Sequence, residues 1–539
     1  MKKLYLLFLI VLPMVVFSQE EAWVYFNAKA NEQYFYDNPL QMLSQRSLDR
    51  RLNQQIDLDF KDIPINQDFI AVISSVPGIK VMAKSKWLNA VHVRGSQELL
   101  NYLKEFSCVA KVDFANKQLN EDTLSEKIAV SLLQYKKKEK SEKLMRASLT
   151  AIKQIEMLNG QILHQQNFRG SGKIIAVLDA GFLGVDKTAA FKRIRDNHQI
   201  LGGYNFVMRD ENIYSLDSHG TSVLSTMAAY VENKLEGTAP EASYYLFITE
   251  DVRTENPVEE SLWVEAAEKA DSLGVDIINT SLGYSDFDNP LYNHSDIEIK
   301  ETGTFISKAA EIASSRGMIV IASAGNDGDT PDPYVGAPAD APSVVTVGAV
   351  RADKTRAVFS SIGPDFDNRI KPDVMAQGEN TLVTDEKGNL VYLSGSSFSA
   401  PIISGMLACL WQAFPDKTNE EIKELMYQSA NRYTKPNNEY GYGIPDFNLA
   451  LKGGIAAKKE SFKYYTAYPN PATDFVKVDF PVSLSSGKVF FYSVSGQNVL
   501  EEKIEGLYAN FSLASLNKGV YFYQIESNSF LKSGKIIKK

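Results

Sequence analysis

The chain predicts an α/β protein in which a parallel sheet is covered by helices on both faces, preceded by a small α+β unit and followed by an all-β module. Three observations carry this. Between about residues 150 and 453, continuous apolar runs alternate with helical stretches, the pattern of strands buried on both faces. Ahead of them, short strand-like and helical segments are mixed. Beyond residue 462 the apolar period falls to two, broken by Asn, Pro, Gly and Ser.

Residues 1–18 read as a signal peptide. Lys2 and Lys3 form its positive end, Leu4–Phe17 its apolar core, and Val16 and Ser18 suit cleavage before Gln19. The run is shorter than the roughly 20 residues of a membrane span, and no other stretch is long and apolar enough. The mature chain is therefore expected to carry no transmembrane segment.

Residues 19–146 form the α+β unit. Phe69–Val76, Val81–Val93 and Val109–Phe114 read as strands, and Gln97–Phe106 reads as a helix. The unit ends in Lys136–Arg146, where six basic and two acidic residues mark exposed chain open to cleavage.

Residues 147–453 carry the parallel sheet. Ile174–Leu178, Tyr244–Ile248, Val275–Thr280, Met318–Ser323 and Val344–Val350 are the expected strands. His219–Glu232, Val258–Leu273, Thr304–Arg316 and Ile402–Phe414 are expected helices, with Asn419–Ser429 and Gly441–Leu451 after them. Residues 454–461 read as a linker, and 462–539 as the β module, with strands at Phe475–Phe480, Val489–Ser493 and Val520–Ile525.

Composition narrows the function. The length of 539 residues favours several domains, and 44% hydrophobic with 23% charged residues marks a globular chain. A net charge of -9 argues against nucleic acid or an anionic membrane surface as partner. The two cysteines, Cys108 and Cys409, are too few for a disulfide framework and lack metal-ligand spacing, so they are expected to be buried.

Four segments carry chemistry. Ile174–Leu178 ends in Asp179-Ala180-Gly181, which puts a carboxylate at the carboxyl edge of the sheet, where α/β folds bind ligands. His219 stands in Asp217-Ser218-His219-Gly220-Thr221 at the head of an apolar helix, and Gly220 lets another chain approach its ring. Asn326 follows Ala324-Gly325 where a buried strand breaks. Ser397 sits in Gly395-Ser396-Ser397-Phe398-Ser399-Ala400-Pro401, at a helix amino end that favours developing negative charge, with Pro401 near the tolerant first turn. Taken singly, each has an ordinary reading: a buried Asp, a structural His, a turn Asn and a helix-capping Ser.

Together these segments resemble the subtilisin-like serine proteases, in which the triad runs Asp, His, Ser along the chain. Asp179-Ala180-Gly181 matches that family's aspartate motif with one change, and His219-Gly220-Thr221 is intact. Asn326 takes the place of the oxyanion asparagine, and Gly395–Pro401 marks Ser397 as the nucleophile rather than Ser396 or Ser399. Phe398 replaces the family's methionine. No triad or oxyanion residue is lost, which separates this chain from an inactive scaffold.

The resemblance implies a secreted serine endopeptidase working through an acyl-enzyme, with Asp179, His219, Ser397 and Asn326 catalytic. It further implies a substrate-pairing edge at Ser281, Leu282 and Gly283, and a roomy apolar pocket lined by Ala324, Gly325 and Gly336. No cofactor or metal is required; structural calcium is common in the family, but no ligand loop for it is legible here. Residues 19–146 resemble a protease pro-region, marked by Ser85–Ala90, so the enzyme is expected as a zymogen. The end of the chain resembles a type A sorting domain of the type IX secretion system, carried by Tyr468–Asp474, Gly519-Val520-Tyr521 and the final Lys538-Lys539. The expected partners are protein or peptide substrates and that secretion machinery. The expected state is a monomer, exported across the inner membrane by the signal peptide and across the outer membrane by the C-terminal domain.

Overall fold

The computed structural model describes residues 19–120, 152–295, 298–299, 301, 303–363, 369–461, 466–527 and 530–539. The expected signal peptide, residues 1–18, and the basic run Lys136–Arg146 lie outside the described residues. Two compact units emerge, Met1–Ala450 and Leu451–Lys539.

The first unit opens with an antiparallel sheet of β1 (Gln19–Phe26), β2 (Lys80–Ser85), β3 (Ala90–Ser96) and β4 (Val109–Phe114), in the order β2-β3-β1-β4. Two expectations fail here. Phe69–Val76 is no strand: Gln67–Ser74 is helical, because the Asn66 side chain accepts from the Asp68 N–H and caps it. Val81–Val93 is not one strand but β2 and β3, turned back at Asn89, whose φ of 49° suits asparagine.

Strands β5 (Ile174–Asp179), β6 (Ile200–Asn205), β7 (Ser243–Ile248), β8 (Ile277–Thr280), β9 (Ile319–Ser323), β10 (Val345–Val350) and β11 (Val374–Gln377) build one seven-stranded sheet. Its order is β11-β10-β9-β8-β5-β7-β6 and every pairing is parallel. Helices α1 (His219–Ala228), α2 (Val258–Leu273), α3 (Phe305–Ser315) and α4 (Ser396–Ala413) pack on it. Strand β5 is the point where the order turns, with β7 on one side and β8 on the other, and such switch points open a crevice at the carboxyl ends. The whole of β5 is buried, so Asp179 arrives at that crevice on a rigid element.

The α+β sheet keeps its own core on one face, around Val24, Phe26, Val91 and Phe114. Its other face joins the core over α2 and α3. Trp23 stacks on Phe305 with ring centroids 5.1 Å apart and donates from Nε1 to the Ser261 hydroxyl at 2.9 Å. Near the carboxyl end of α2, Asp271 receives Arg50 at 2.5 Å and Arg51 at 2.7 Å, all three side chains being within 4% of full burial.

Glu268 on α2 is buried under the β2–β3 turn and accepts from the Ser85 hydroxyl and from the Lys86 and Trp87 N–H groups at 2.7–3.0 Å. Burial pushes its carboxyl up to about 7. An acid whose pKa is raised on docking contributes stability that is complete below its free value of 4.5 and is lost as pH rises through about 7. Glu268→Ala is expected to weaken docking of the α+β unit by about 2–3 kcal/mol, because three donors lose their acceptor. It should also flatten the fall in docking stability between those pH values. Hydrogen-exchange protection of the Lys86 and Trp87 amides, measured in a Ser397→Ala background, checks both.

Cys108 and Cys409 are free and buried, each in a different part of this unit. The second unit is all β. Strands Thr466–Tyr468, Phe475–Ser493, Asn498–Ser512, Gly519–Ser527 and Phe530–Lys538 pair antiparallel around a core that includes Val489, Phe491, Phe511 and Ile525. The stretch 454–461, expected as a linker, lies within the helix Phe447–Ser461. Ala456, Ala457, Lys458, Lys459 and Glu460 are all strong helix formers, and two glycines ahead of them do not outweigh that.

Candidate active site

The crevice at the end of β5 gathers the chemistry-bearing residues. Asp179 is 2% exposed, and its Oδ1 accepts both the Ala180 N–H at 2.8 Å and the His219 Nδ1–H at 2.7 Å. Its Oδ2 is buried and meets no donor among the described residues. The His219 side chain is 36% exposed, so the ring reaches from a buried carboxylate to the crevice mouth.

Two glycines make that meeting feasible. Gly181 has φ 155°, and a Cβ there would lie 2.3 Å from the Ser215 carbonyl and 2.4 Å from the Asp217 nitrogen. Only glycine lets the 215–217 segment cross the end of β5 this closely. Gly220 serves the same contact from the other side: its Cβ would lie 2.5 Å from the Gly181 carbonyl and 3.0 Å from Asp179 Cβ. Its smallness brings α1 against β5, rather than opening the ring to another chain as the sequence suggested. Asp217 has a role of its own in the motif: its Oδ1 accepts the His219 N–H at 2.7 Å and seats the start of α1. An Asp two residues before a helical His was the signal for that bond.

Helix α4 starts at Ser396, with Gly395 as its cap and no side-chain capping bond. Ser397 therefore is not the helix cap. The three serines differ sharply in what they do. The Ser396 hydroxyl donates to the Gly325 carbonyl at 2.9 Å and accepts from the Gly325 N–H at 3.1 Å. The Ser399 hydroxyl is turned back to the Ser396 carbonyl at 2.8 Å. Both are fully buried, whereas Ser397 is 9% exposed and its hydroxyl makes, among the described residues, only a long 3.4 Å bond to the Ser281 carbonyl. Phe398 follows with its ring 6.0 Å from that of His219, centroid to centroid.

Asn326 leaves β9 beside this helix start. Its Oδ1 accepts the Ser396 N–H at 2.9 Å, which fixes the amide so that its N–H₂ end points away from α4's backbone. Ser396 is thus an anchor for both Gly325 and Asn326, a role the sequence did not signal.

Ser281, Leu282 and Gly283 run on from the end of β8 with rising exposure, and Tyr284 then exchanges backbone bonds with Ala337 at 2.8 and 2.9 Å. Gly336 lies against the Tyr284 carbonyl and Gly325 against the Ser361 hydroxyl. Ala324 is 1% exposed and belongs to the core, with its N–H donating to the Val347 carbonyl at 3.0 Å. At Gly325 and Gly336 the missing side chain allows a close approach, since a Cβ at either would lie 2.7 Å from its neighbour. Among the described residues no group of three or more His, Cys, Asp or Glu is placed to hold a metal ion, and no helix is long and apolar enough to cross a membrane.

Residues 170–443 match the model of the subtilase family, residues 21–131 that of the Peptidase S8 propeptide domain of Bacteroidota, and residues 466–539 that of the secretion system C-terminal sorting domain. Subtilisin NAT of Bacillus subtilis subsp. natto is 31% identical over 303 residues, covering 55% of this chain and 70% of that protein. Subtilisin of Bacillus pumilus is 30% identical over 303 residues, covering 55% of this chain and 98% of that one. Among solved structures, the MycP3 protease from the type VII (ESX-3) secretion system aligns with a TM-score of 0.45 at 22% identity, over 56% of this chain and 87% of that one.

Proposed function

The chain belongs to the subtilase family of serine endopeptidases, and we propose that it cuts peptide bonds through an acyl-enzyme on Ser397. It carries the family's propeptide and a type IX sorting domain, and is accordingly a protease precursor addressed to the cell surface or the medium. The observation that carries the mechanism is the 2.7 Å bond from the half-exposed His219 ring to the buried Asp179 carboxylate, at the same sheet edge as Ser397.

In this reading His219 Nε2 takes the Ser397 proton as the hydroxyl attacks the scissile carbonyl, then returns it to the leaving amine. Asp179 holds Nδ1 protonated and stabilises the imidazolium. The Asn326 N–H₂ and the Ser397 backbone N–H receive the oxyanion at the amino end of α4, where the helix dipole adds to them. An extended substrate pairs with the Ser281–Gly283 edge, and the segment Ala324-Gly325, with Gly336, borders the residue before the cut.

Removal of residues 19–146 frees a catalytic domain of 147–453, and residues 462–539 are handled by the type IX machinery. The mature enzyme acts as a monomer without a cofactor on protein or peptide substrates. The test is hydrolysis of an unfolded protein by processed enzyme, with internal peptide bonds cut and activity abolished by a phosphonylating reagent. Asn326→Ala is expected to lower kcat about 10²–10³-fold with KM nearly unchanged, the size associated with losing one oxyanion donor in subtilisin. Steady-state rates on a chromogenic peptide check it.

A further inference from the structure

The strongest unexplained feature lies behind the nucleophile, and its interpretation rests on the reading of Ser397 given above. Helix α4 begins at Ser396, so Pro401 is its sixth residue, beyond the first turn where a missing N–H costs nothing. In an α-helix the N–H of residue 401 would donate to the carbonyl of residue 397. Proline has no N–H, and the carbonyl of Ser397 loses its helical donor.

The missing donor comes from the neighbouring strand. The Ser281 hydroxyl donates to the Ser397 carbonyl at 2.9 Å, and the Ser397 hydroxyl donates in return to the Ser281 carbonyl at 3.4 Å. The Ser281 hydroxyl is itself aimed. Asn279, two residues earlier and fully buried on β8, donates from Nδ2 to Ser281 Oγ at 3.2 Å. Its Oδ1 accepts from the Ser404 hydroxyl at 2.8 Å, a proton that Ser404 shares with the Ala400 carbonyl at 3.1 Å. Ser404 is fully buried and lies seven residues beyond Ser397, two turns along the same face of α4. With Asn279 donating to it, the Ser281 oxygen is left to give its one proton to Ser397.

We propose that Asn279 and Ser404 are positioning residues, which act through the Ser281 hydroxyl to hold the backbone of the nucleophile where Pro401 has released it. The two bonds of the clasp are unequal by design of their geometry. The 2.9 Å bond fixes the Ser397 carbonyl, while the 3.4 Å bond of its hydroxyl is weak enough to be exchanged for His219 when substrate arrives. The nucleophile can turn without its main chain moving.

The experiment compares processed full-length-derived wild type with Ser281→Ala, Ser281→Thr and Ser404→Ala, reading kcat, KM, the acylation burst and melting temperature. Ser281→Ala is expected to lower kcat and the burst rate about 10- to 30-fold with KM within about twofold, inside the ~100-fold that a 1 Å misplacement can cost. Ser404→Ala, which loses only the outer link, should lower kcat about threefold, and Ser281→Thr should recover most of the Ser281→Ala loss by restoring the hydroxyl. A purely structural role would lower the melting temperature and leave kcat at 25 °C alone. Wild-type kcat in folded Ser281→Ala or Ser404→Ala would overturn the clasp, as would a Thr variant no better than Ala. Should Ser281→Ala not fold, Ser404→Ala alone decides. A wild-type enzyme that forms no phosphonate adduct at Ser397 would overturn the nucleophile assignment and the clasp with it, whereas an adduct with unchanged variant kinetics removes the clasp only.

Discussion

Ser397→Ala is expected to lower kcat by about 10⁶-fold, leaving a residual acceleration of about 10³–10⁴ over water from binding and the oxyanion donors. The size follows from what remains. His219, Asp179 and Asn326 keep their bonds to Asp179 Oδ1, Ala180 N and Ser396 N, none of which involves the Ser397 hydroxyl. The variant therefore folds with its oxyanion donors in place and lacks only the atom that forms the acyl bond. Neither neighbouring serine rescues it, because the Ser396 hydroxyl is tied in both directions to Gly325 and that of Ser399 faces back into its own helix turn. Progress curves on a chromogenic peptide measure the loss, and gel electrophoresis of the expressed chain should show a precursor whose pro-region stays attached.

Asp179→Asn is the second large effect, a fall of about 10⁴-fold in kcat with KM within about threefold. Asp179 Oδ1 accepts two N–H groups, from Ala180 and His219, while Oδ2 is buried without a donor. An asparagine that keeps its oxygen at the Oδ1 position buries an unpaired N–H₂ where Oδ2 was. Turned the other way, it presents N–H₂ to His219 Nδ1, selects the wrong imidazole tautomer and leaves the Ala180 N–H unmatched. Both arrangements also remove the charge that stabilises the imidazolium. Measuring kcat and KM for Asp179→Asn beside Asp179→Ala separates the tautomer effect from loss of the carboxylate itself, since both should fall by similar factors if the charge dominates.

The legible parts of this fold were those where one signal ran long enough. The run Ile174–Leu178 is apolar throughout, so its buried strand and the carboxyl-edge place of Asp179 could be read directly. Strand β6 was missed because Gly202 and Gly203 interrupt its pattern, and β11 because its short Val-Met-Ala-Gln run carries a single β-branched residue, unlike the Ile-Ile-Asn-Thr of the equally short β8. The helix Gln67–Ser74 was misread as a strand: its apolar residues satisfied either period, and the Asn66 cap was the arbiter.

The site was legible as identities but not as bonds. Asp179, His219, Asn326 and Ser397 stood out through their order and neighbours, yet nothing in a linear chain tells that Ser396 anchors Gly325 and Asn326. Gly220 was read as room for a substrate and turned out to be room for β5. Pro401 was placed near a first turn, whereas the helix starts six residues ahead of its apolar run, and that shift is what exposes the clasp on the Ser397 carbonyl.

The central claim, that Ser397 is the nucleophile, is tested most directly by mapping where a fluorophosphonate attaches. Processed wild-type enzyme is reacted to completion, digested, and the adduct located by tandem mass spectrometry. One adduct per chain on Ser397, absent from Ser397→Ala and strongly slowed in His219→Ala, is the expected result. An adduct on Ser396 or Ser399, or an active enzyme that takes up no phosphonate, would contradict it.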